Sequence, residues 1–296
     1  MAEWVEKKER GSLWMMNIAC FLCKNMSPRL LAPLLLVIVS YFYVSSSDVK
    51  QSSFQFFEKV RGKARSRDYF RQLYFFSRTL LDRFYILLGK TECYSVTGHG
   101  RALLLAEKER GRGVILLGAH LGSFEACRVF LKDKVALDVH IVAYFGASQK
   151  IRTTLNLLDP EQAKRVIDPT DADAVFQMRE VVERGGILAI LADRVGLGDK
   201  TVTVDFFGEP VKFPAGPYLL AHVLGCPVYS FFGLLSKPYH YDNYLECLTE
   251  RVVLPRKDRQ QALSEYAQSY ADKLEYYCRK NPYNWFNFFD FWKKQT

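Results

Sequence analysis

The stretch Val114-Ile115-Leu116-Leu117-Gly118-Ala119 is a continuous apolar run, and His120 follows it directly. A short apolar run without alternation is typical of a strand buried on both faces of a parallel sheet. A second run of this kind, from Ile187 to Ala192, leads into Asp193 and Arg194. Both runs therefore predict strands that present polar side chains at their carboxyl ends, where open α/β sheets concentrate their functional groups.

Segments with helical and strand patterns surround these two runs. Strands are predicted at residues 135–144, 201–207 and 228–235, and helices at 54–88, 101–110, 124–131, 171–184, 217–224 and 258–280. Strands that alternate with helices predict an α/β fold with a central mixed, partly parallel sheet flanked by helices. We expect one large domain over residues 51–296, preceded by a separate N-terminal segment, residues 1–50.

The N-terminal segment contains an uncharged apolar run from Leu30 to Val44, and a second apolar stretch, Leu13 to Leu22, lies before it. The run is slightly shorter than the roughly 20 residues that span a bilayer, and it begins too late for a signal peptide. A buried helix of a soluble protein is one interpretation. We favour an N-terminal membrane-anchoring helix, which either spans the bilayer as a transmembrane helix or lies in its interface. Nine Lys and Arg residues between Lys50 and Arg83 then predict that the rest of the chain faces the cytoplasm.

The formal net charge of +9 over 296 residues indicates an anionic partner. The sequence has no zinc-finger spacing and no RNA-binding signature, so we expect no nucleic acid and favour an anionic membrane surface. Seven cysteines are scattered without a disulfide pattern, which fits a reducing compartment. The pair Cys20 and Cys23 stands alone, so buried thiols are expected there rather than a metal site.

His120 and Glu125 carry the chemistry that the strand ends suggest. If a helix begins near Ser123, Glu125 lies in its first turn and can fold back toward the imidazole. A carboxylate bonded to one ring nitrogen fixes the tautomer and stabilises the imidazolium that forms when the other nitrogen takes a proton. Such a pair can deprotonate a hydroxyl group. The same spacing also arises by chance, and that interpretation stays open at this point.

Two blocks of sequence resemble the bacterial late lipid A acyltransferases, the lauroyl and myristoyl transferases of the wider lysophospholipid acyltransferase superfamily. The first block runs from Val96 to Gly100 and then from Gly111 through His120 to Glu125. The second block contains Leu191-Ala192-Asp193-Arg194, Val204 to Gly208, Phe213 to Pro217 and Leu220-Ala221. The order and spacing of the blocks match, and with the N-terminal segment the resemblance covers nearly the whole chain.

The resemblance implies a membrane-associated O-acyltransferase of the bacterial inner membrane, with its catalytic domain facing the cytoplasm. It implies transfer of a fatty acyl chain from acyl-carrier protein, or acyl-CoA, to a hydroxyl group of a lipid or glycolipid acceptor, as in lipid A and lipopolysaccharide biosynthesis. His120 would be the general base and Glu125 its orienting partner. Asp193 and the turn Phe213-Pro214-Ala215-Gly216 would belong to the substrate site. No metal and no bound cofactor are implied.

Further basic residues are candidates for contacts with an anionic group of a substrate or carrier protein. Arg194 follows a strand end and can bind a phosphate through two hydrogen bonds, although a structural ion pair is an equal alternative. Arg152, with the neighbouring Lys150, and Lys212 are either further anion contacts or solvated surface residues. Asp193 can orient either Arg194 or His120.

The sequence departs from the lipid A enzymes in three places. Residues 143–152 lack the usual Arg- and Asn-containing block, and residues 192–194 lack the usual Pro-Asp-Gln. Residues 281–290 lack the usual basic ending and resemble the variants associated with aryl polyene lipid clusters. An acyltransferase for a different acceptor, such as an aryl polyene lipid or a glycerolipid, is therefore an alternative. A catalytically inactive member that binds lipid or carrier protein is a third hypothesis.

Overall fold

The computed structural model describes residues 13–126, 138–143, 156–196 and 198–293. Its helices, numbered along the chain, are α1 (Leu13–Asn25), α2 (Ala32–Ser45), α3 (Ser47–Arg61), α4 (Ser66–Leu87), α5 (Arg101–Glu109), α6 (Pro160–Ala163), α7 (Ala174–Glu183), α8 (Gly216–Leu224) and α9 (Arg259–Lys280). A short 3-10 helix, Pro282–Asn284, follows α9.

The strands are β1 (Ser95–His99), β2 (Val114–Gly118), β3 (Val139–Val142), β4 (Val166–Ile167), β5 (Ile187–Leu191), β6 (Thr201–Phe206), β7 (Glu209–Pro214), β8 (Val228–Lys237) and β9 (His240–Thr249). Seven of them form a sheet in the order β1-β9-β8-β2-β5-β3-β4, and β6 and β7 form a separate antiparallel hairpin. Within the large sheet only the β8–β9 pair is antiparallel among the described residues. The predicted α/β fold with a mixed, mostly parallel central sheet is confirmed.

Strand β2 lies in the middle of this sheet, between β8 and β5. All of its residues are buried, and successive side chains enter different cores. Ile115 and Leu117 belong to the largest core, which also contains residues of α7, α8 and α9. Val114 and Leu116 belong to a second core on the other face. The unbroken apolar run is therefore explained by burial of alternate residues on two sides.

The chain after α9 crosses the carboxyl end of β2 and holds the loop that follows this strand. Residues 284–289 are called the strap below. The backbone N–H of Gly122 donates to the Asn284 carbonyl over 2.8 Å, and the N–H of Phe286 donates to the His120 carbonyl over 2.8 Å. Two segments far apart in sequence are thereby joined directly at His120.

The segment predicted as one helix over 54–88 is two helices, α3 and α4. Gly62 ends α3 with φ 70°, a conformation that glycine adopts without strain, and the chain turns there. Strand 135–144 is confirmed only over β3, and helix 124–131 lies mostly outside the described residues. Strands β1, β4, β7 and β9 were not predicted.

In the described part of the chain no single helix is long and apolar enough to cross a membrane. Together α2 and α3 have the length and composition for a span, but they are bent by 91° relative to each other. The expected N-terminal anchoring helix is therefore not found as one continuous helix, because the apolar run ends at Ser45 and the chain turns sharply into the polar α3. One stripe of α2, with Leu35 and Val39, is buried against α4.

Candidate active site

The pairing of β2 with β5 brings His120 and Asp193 side by side. The strands are parallel, and their register places Gly118 opposite Leu191. The Ala192 N–H donates to the Gly118 carbonyl over 2.9 Å, which continues the ladder past the last pair. His120 lies two residues after Gly118, and Asp193 lies two residues after Leu191, so both leave the sheet on the same side.

The imidazole and the carboxylate are joined by several hydrogen bonds. His120 Nδ1 lies 2.9 Å from Asp193 Oδ1, and the His120 backbone N–H donates to Asp193 Oδ2 over 3.0 Å. The side-chain amide of Asn287, in the strap, donates to the same Oδ2 over 2.9 Å. A carboxylate in this position accepts the proton of Nδ1, so Nε2 is the nitrogen that carries the lone pair.

Asp193 stays ionised although its side chain is buried. Burial disfavours the charged form, yet the charge of His120, its ring hydrogen bond and the charge of Arg194 hold the pKa of Asp193 well below its usual range. Asp193 is therefore a carboxylate at any pH at which the protein functions, and it can stabilise an imidazolium ion.

The imidazole of His120 is held in its neutral form. Burial lowers the pKa of His120, the positive charge of Arg194 lowers it further, and Asp193 opposes both effects. The pKa consequently lies below the ordinary value of about 6.5. At neutral pH Nε2 can accept a proton, which is the requirement for a general base.

His120 opens onto a cleft of about 420 Å³ with a largely aromatic wall. The wall is built by four structural elements: α4 (Phe76, Thr79, Leu80, Arg83), the loop after β2 (Ala119, His120, Gly122, Phe124, Glu125), the end of β5 (Leu191, Arg194) and the strap (Phe286, Phe288, Phe289). Apolar walls with a few polar groups at one end are typical of sites for apolar ligands.

Glu125 lies in this cleft but does not contact the imidazole as expected. Its Oε1 lies 2.7 Å from Arg83 Nε, and its Oε2 accepts from the Ser123 hydroxyl over 3.3 Å. The carboxylate on His120 Nδ1 is that of Asp193. In the structure Arg83 of α4 pairs with Glu125, and Asp193 occupies the position beside the ring that was expected of Glu125. A catalytic role of Glu125 in the cleft stays a prediction.

Arg194 is fixed beside the His–Asp pair by the strap. Its Nε donates to Asn287 Oδ1 over 2.6 Å, its Nη2 donates to the Phe286 carbonyl over 3.3 Å, and the guanidinium lies 5.3 Å from the centre of the Phe289 ring. Burial lowers the pKa of Arg194 to about 10, and Asp193 opposes this effect. Arg194 therefore remains a cation at neutral pH and places a positive charge in the cleft.

A family model described as bacterial lipid A biosynthesis acyltransferase matches residues 94–294, well over half of the chain. The chain belongs to this family. No curated protein matches the sequence. The family assignment made from the sequence blocks is confirmed, and so is the acyltransferase activity class. The matched region contains β1 to β9 as described above, His120, Asp193 and the strap, whereas α4 with Arg83 lies before it.

Three other residues predicted to bind substrate are not among the described residues that line the cleft of this acyltransferase. Lys212 is exposed on β7, Gly216 begins α8, and Phe213 is a core residue whose ring contacts that of Tyr270. Arg152, like Lys150, lies outside the described residues. Their contacts with substrate stay predictions. Asp193 and Arg194, by contrast, lie beside His120, and Arg194 lines the cleft with it.

Two residues of the acyltransferase site, Arg83 and Asn287, were not singled out in the sequence. Arg83 lies on the same helical face as Phe76 and Leu80, three to four residues apart, but a lone cation at the end of such a stripe is no specific signal. Asn287 stands between two phenylalanines in an aromatic tail. A polar residue among aromatic residues was the one sequence signal that could have indicated a buried polar contact at Asn287.

Proposed function

We propose that this acyltransferase moves a fatty acyl chain from the thioester of acyl-carrier protein, or of acyl-CoA, to a hydroxyl group of a lipid or glycolipid. The observation that carries the proposal is a neutral imidazole, His120, which bonds the ionised Asp193 and lines a cleft with several phenylalanines. The family supplies the reaction class.

His120 Nε2 takes the proton of the acceptor hydroxyl as its oxygen attacks the thioester carbonyl carbon. The tetrahedral intermediate then expels the thiolate, which receives the proton from the imidazolium. The products are an ester and a free thiol, and no bond to the enzyme is formed. Asp193 stabilises the imidazolium during this cycle. Arg194 lines the same cleft, and in this proposal its positive charge stabilises the carbonyl oxygen as it becomes negative.

The test is transfer of a radiolabelled acyl chain to a bacterial lipid extract, with acyl-carrier protein and CoA thioesters compared as donors. We expect His120→Ala to lower the rate by about 10²- to 10⁴-fold, because the general base is lost. Retained folding is checked by the far-ultraviolet circular dichroism spectrum. Near wild-type transfer by the folded variant would contradict the mechanism.

A second measurement decides which carboxylate orients the imidazole. In ¹⁵N-histidine spectra we expect the tautomer with the proton on Nδ1 in wild type and in Glu125→Gln, and loss of that preference in Asp193→Asn. An amide at residue 193 should also lower the transfer rate by about 10³-fold or more. Loss of the tautomer in Glu125→Gln alone would return the orienting role to Glu125.

We propose in addition that α1 and α2 attach the protein to an anionic membrane by lying in its interface. The helix α2 has 14 residues, about 21 Å at 1.5 Å per residue, and one of its stripes is covered by α4. Its opposite stripe is exposed and apolar: Leu34, Val37, Ile38, Tyr41 and Val44. The helix α1 exposes a similar stripe: Trp14, Met15, Ile18 and Phe21.

Exposed apolar stripes on short helices fit interfacial binding. The net charge of +9 supports an anionic membrane surface. In this proposal the catalytic domain lies on the cytoplasmic side of the inner membrane.

A lipid other than lipid A is the second candidate acceptor. It is supported by Phe286, Phe288 and Phe289, since these residues of the departing tail form part of the cleft wall. Mass spectrometry of lipids from cells with and without the gene distinguishes the acceptors. Loss of one acyl chain from lipid A would contradict this candidate, and loss of an acyl chain from another lipid class would support it.

A further inference from the structure

Asn287 occupies a buried position between the two charged residues of the site. Its side-chain Nδ2 donates to Asp193 Oδ2 over 2.9 Å, and its Oδ1 accepts from Arg194 Nε over 2.6 Å. The residue is 2% exposed. An amide has a donor at one end and an acceptor at the other, so it satisfies a carboxylate and a guanidinium at the same time without adding charge.

The position of this amide is fixed by hydrogen bonds of the two strap residues Asn284 and Phe286 that precede it. Phe286, the preceding residue, donates its N–H to the His120 carbonyl, and the Asn284 carbonyl accepts the N–H of Gly122. The Asn284 side chain in turn binds both the N–H and the carbonyl of Leu235 in β8. The amide at residue 287 is therefore held at a set distance from the loop that carries the imidazole.

We infer that Asn287 is a positioning residue, which acts on His120 through Asp193 and on the charge in the cleft through Arg194. It holds the carboxylate against the imidazole and the guanidinium toward the cleft, while keeping the two charges separated by a neutral group. The inference deepens the proposed function and rests on His120 as its general base.

The charges that face His120 among the described residues come from three elements. Asp193 and Arg194 follow β5, Arg83 comes from α4, and Glu125 lies on the loop of His120 itself. The helix α9 faces Asp193 with two neutral groups, the Tyr270 hydroxyl and the Cys278 thiol. The amide of Asn287 adds no charge to this set. Its replacement by alanine therefore leaves the charges around His120 unchanged in number and removes only the two hydrogen bonds that hold Asp193 and Arg194.

The first experiment compares the ¹⁵N-histidine spectra of substrate-free wild type, Asn287→Ala and Asn284→Ala. We expect the tautomer with the proton on Nδ1 in wild type and in Asn284→Ala, and a mixture of both tautomers in Asn287→Ala, because Asp193 is no longer held against the ring. These spectra need no turnover, so they test the inference even if the proposed reaction is wrong.

The second experiment compares Asn287→Ala with Asn284→Ala. Both residues are buried asparagines of the strap, but the Asn284 side chain binds only the backbone of Leu235 in the described contacts. We expect Asn287→Ala to lower kcat about 10- to 100-fold with little change in KM, because the reacting groups lose their alignment. Asn284→Ala should lower thermal stability and change kcat less, because the amide of residue 287 stays on Asp193 and Arg194.

Two results would overturn the inference. One is an unchanged Nδ1 tautomer of His120 in folded Asn287→Ala. The other is an equal loss of kcat in Asn287→Ala and Asn284→Ala in proportion to their lost stability, which would make Asn287 a structural residue of the strap.

Discussion

The imidazole of His120 is subject to opposing influences at the scale of single residues. Asp193 favours the protonated ring, whereas burial and Arg194 favour the neutral ring and prevail. A general base needs both: a neutral ring before the reaction and a stabilised cation during it. The carboxylate is bonded to the ring directly, while the guanidinium acts through its charge.

This balance predicts the pH dependence of the enzyme. The pKa of His120 is lowered, so kcat/KM should rise with pH through a pKa below about 6.5 and be constant near neutral pH. In Arg194→Gln one cation is removed, so the pKa should rise and the acid limb should move to higher pH. The measurement is kcat/KM from pH 5 to 8 for both proteins. An acid limb above pH 7 in wild type would contradict the prediction.

The sequence predicted His120 and Asp193 at strand ends, but it favoured Glu125 over Asp193 as the carboxylate beside the imidazole. Spacing along the chain favoured Glu125, five positions after His120. Strand register decided otherwise, since it aligns Gly118 with Leu191 and so matches residues 73 positions apart. Register is not readable from a single sequence when the two strands are joined by a long crossover.

The loop after β2 is held in place at the scale of elements by close backbone contacts. Gly122 has φ +72°, and a Cβ atom added there would lie 2.1 Å from the Gly233 carbonyl oxygen of β8. The Ser123 N–H donates to that same carbonyl over 2.7 Å. No side chain fits between the loop and the strand at this point.

We predict that Gly122→Ala lowers stability more than Gly89→Ala, the matched control. Gly89 has φ +73° but nothing within 4 Å of an added Cβ atom, so alanine there has only the backbone strain, about 1–2 kcal/mol. Gly122→Ala adds the collision with β8 and should also lose activity, since His120 lies two residues away. Thermal unfolding temperatures and transfer rates of both variants provide the comparison. Equal losses of stability would show that the close contact is unimportant.

The missed strands have a physical explanation. β1 is exposed along most of its length, so it lacks the apolar residues of a buried strand. β9 alternates, but its inward position 243 is an asparagine, whose amide donates to the Ala126 carbonyl over 3.0 Å. The buried polar residue interrupts the pattern that sequence reasoning relies on. The apolar runs of β2 and β5, by contrast, predicted their strands to within one residue.

At the scale of the whole molecule, α4 connects the exposed apolar helices to the cleft. Tyr69 and Leu73 pack in a cluster with Val39 of α2, and Phe76 and Leu80, further along the same helix, line the cleft. A lipid that reaches the protein at α2 therefore has one helix between it and the aromatic wall beside His120. This arrangement suits an enzyme whose acceptor stays in a membrane.

The proposed interfacial attachment predicts a specific loss of membrane binding. Val37 on α2 is 67% exposed, and Val223 on α8 is 70% exposed, so the two residues form a matched pair. We expect Val37→Asp to weaken binding to anionic vesicles about tenfold or more. The change puts a charge in place of an apolar side chain that the lipid interface would bury. Val223→Asp should bind like wild type. Flotation of each protein with vesicles containing phosphatidylglycerol measures the bound fraction, and equal binding by all three would contradict the attachment through α2.

The two hydrogen bonds between strap and loop also make the amide hydrogens of Gly122 and Phe286 reporters of the site. Each of these hydrogens lies in the contact between the two segments, so it exchanges with deuterium only when the strap lifts from the loop or the whole protein unfolds. If the strap lifts more readily than the central strand β2 unfolds, both amides exchange faster than those of Leu116 and Leu117. The exchange rates of these two amide hydrogens, which take no part in the reaction, would then report how readily the catalytic centre comes apart.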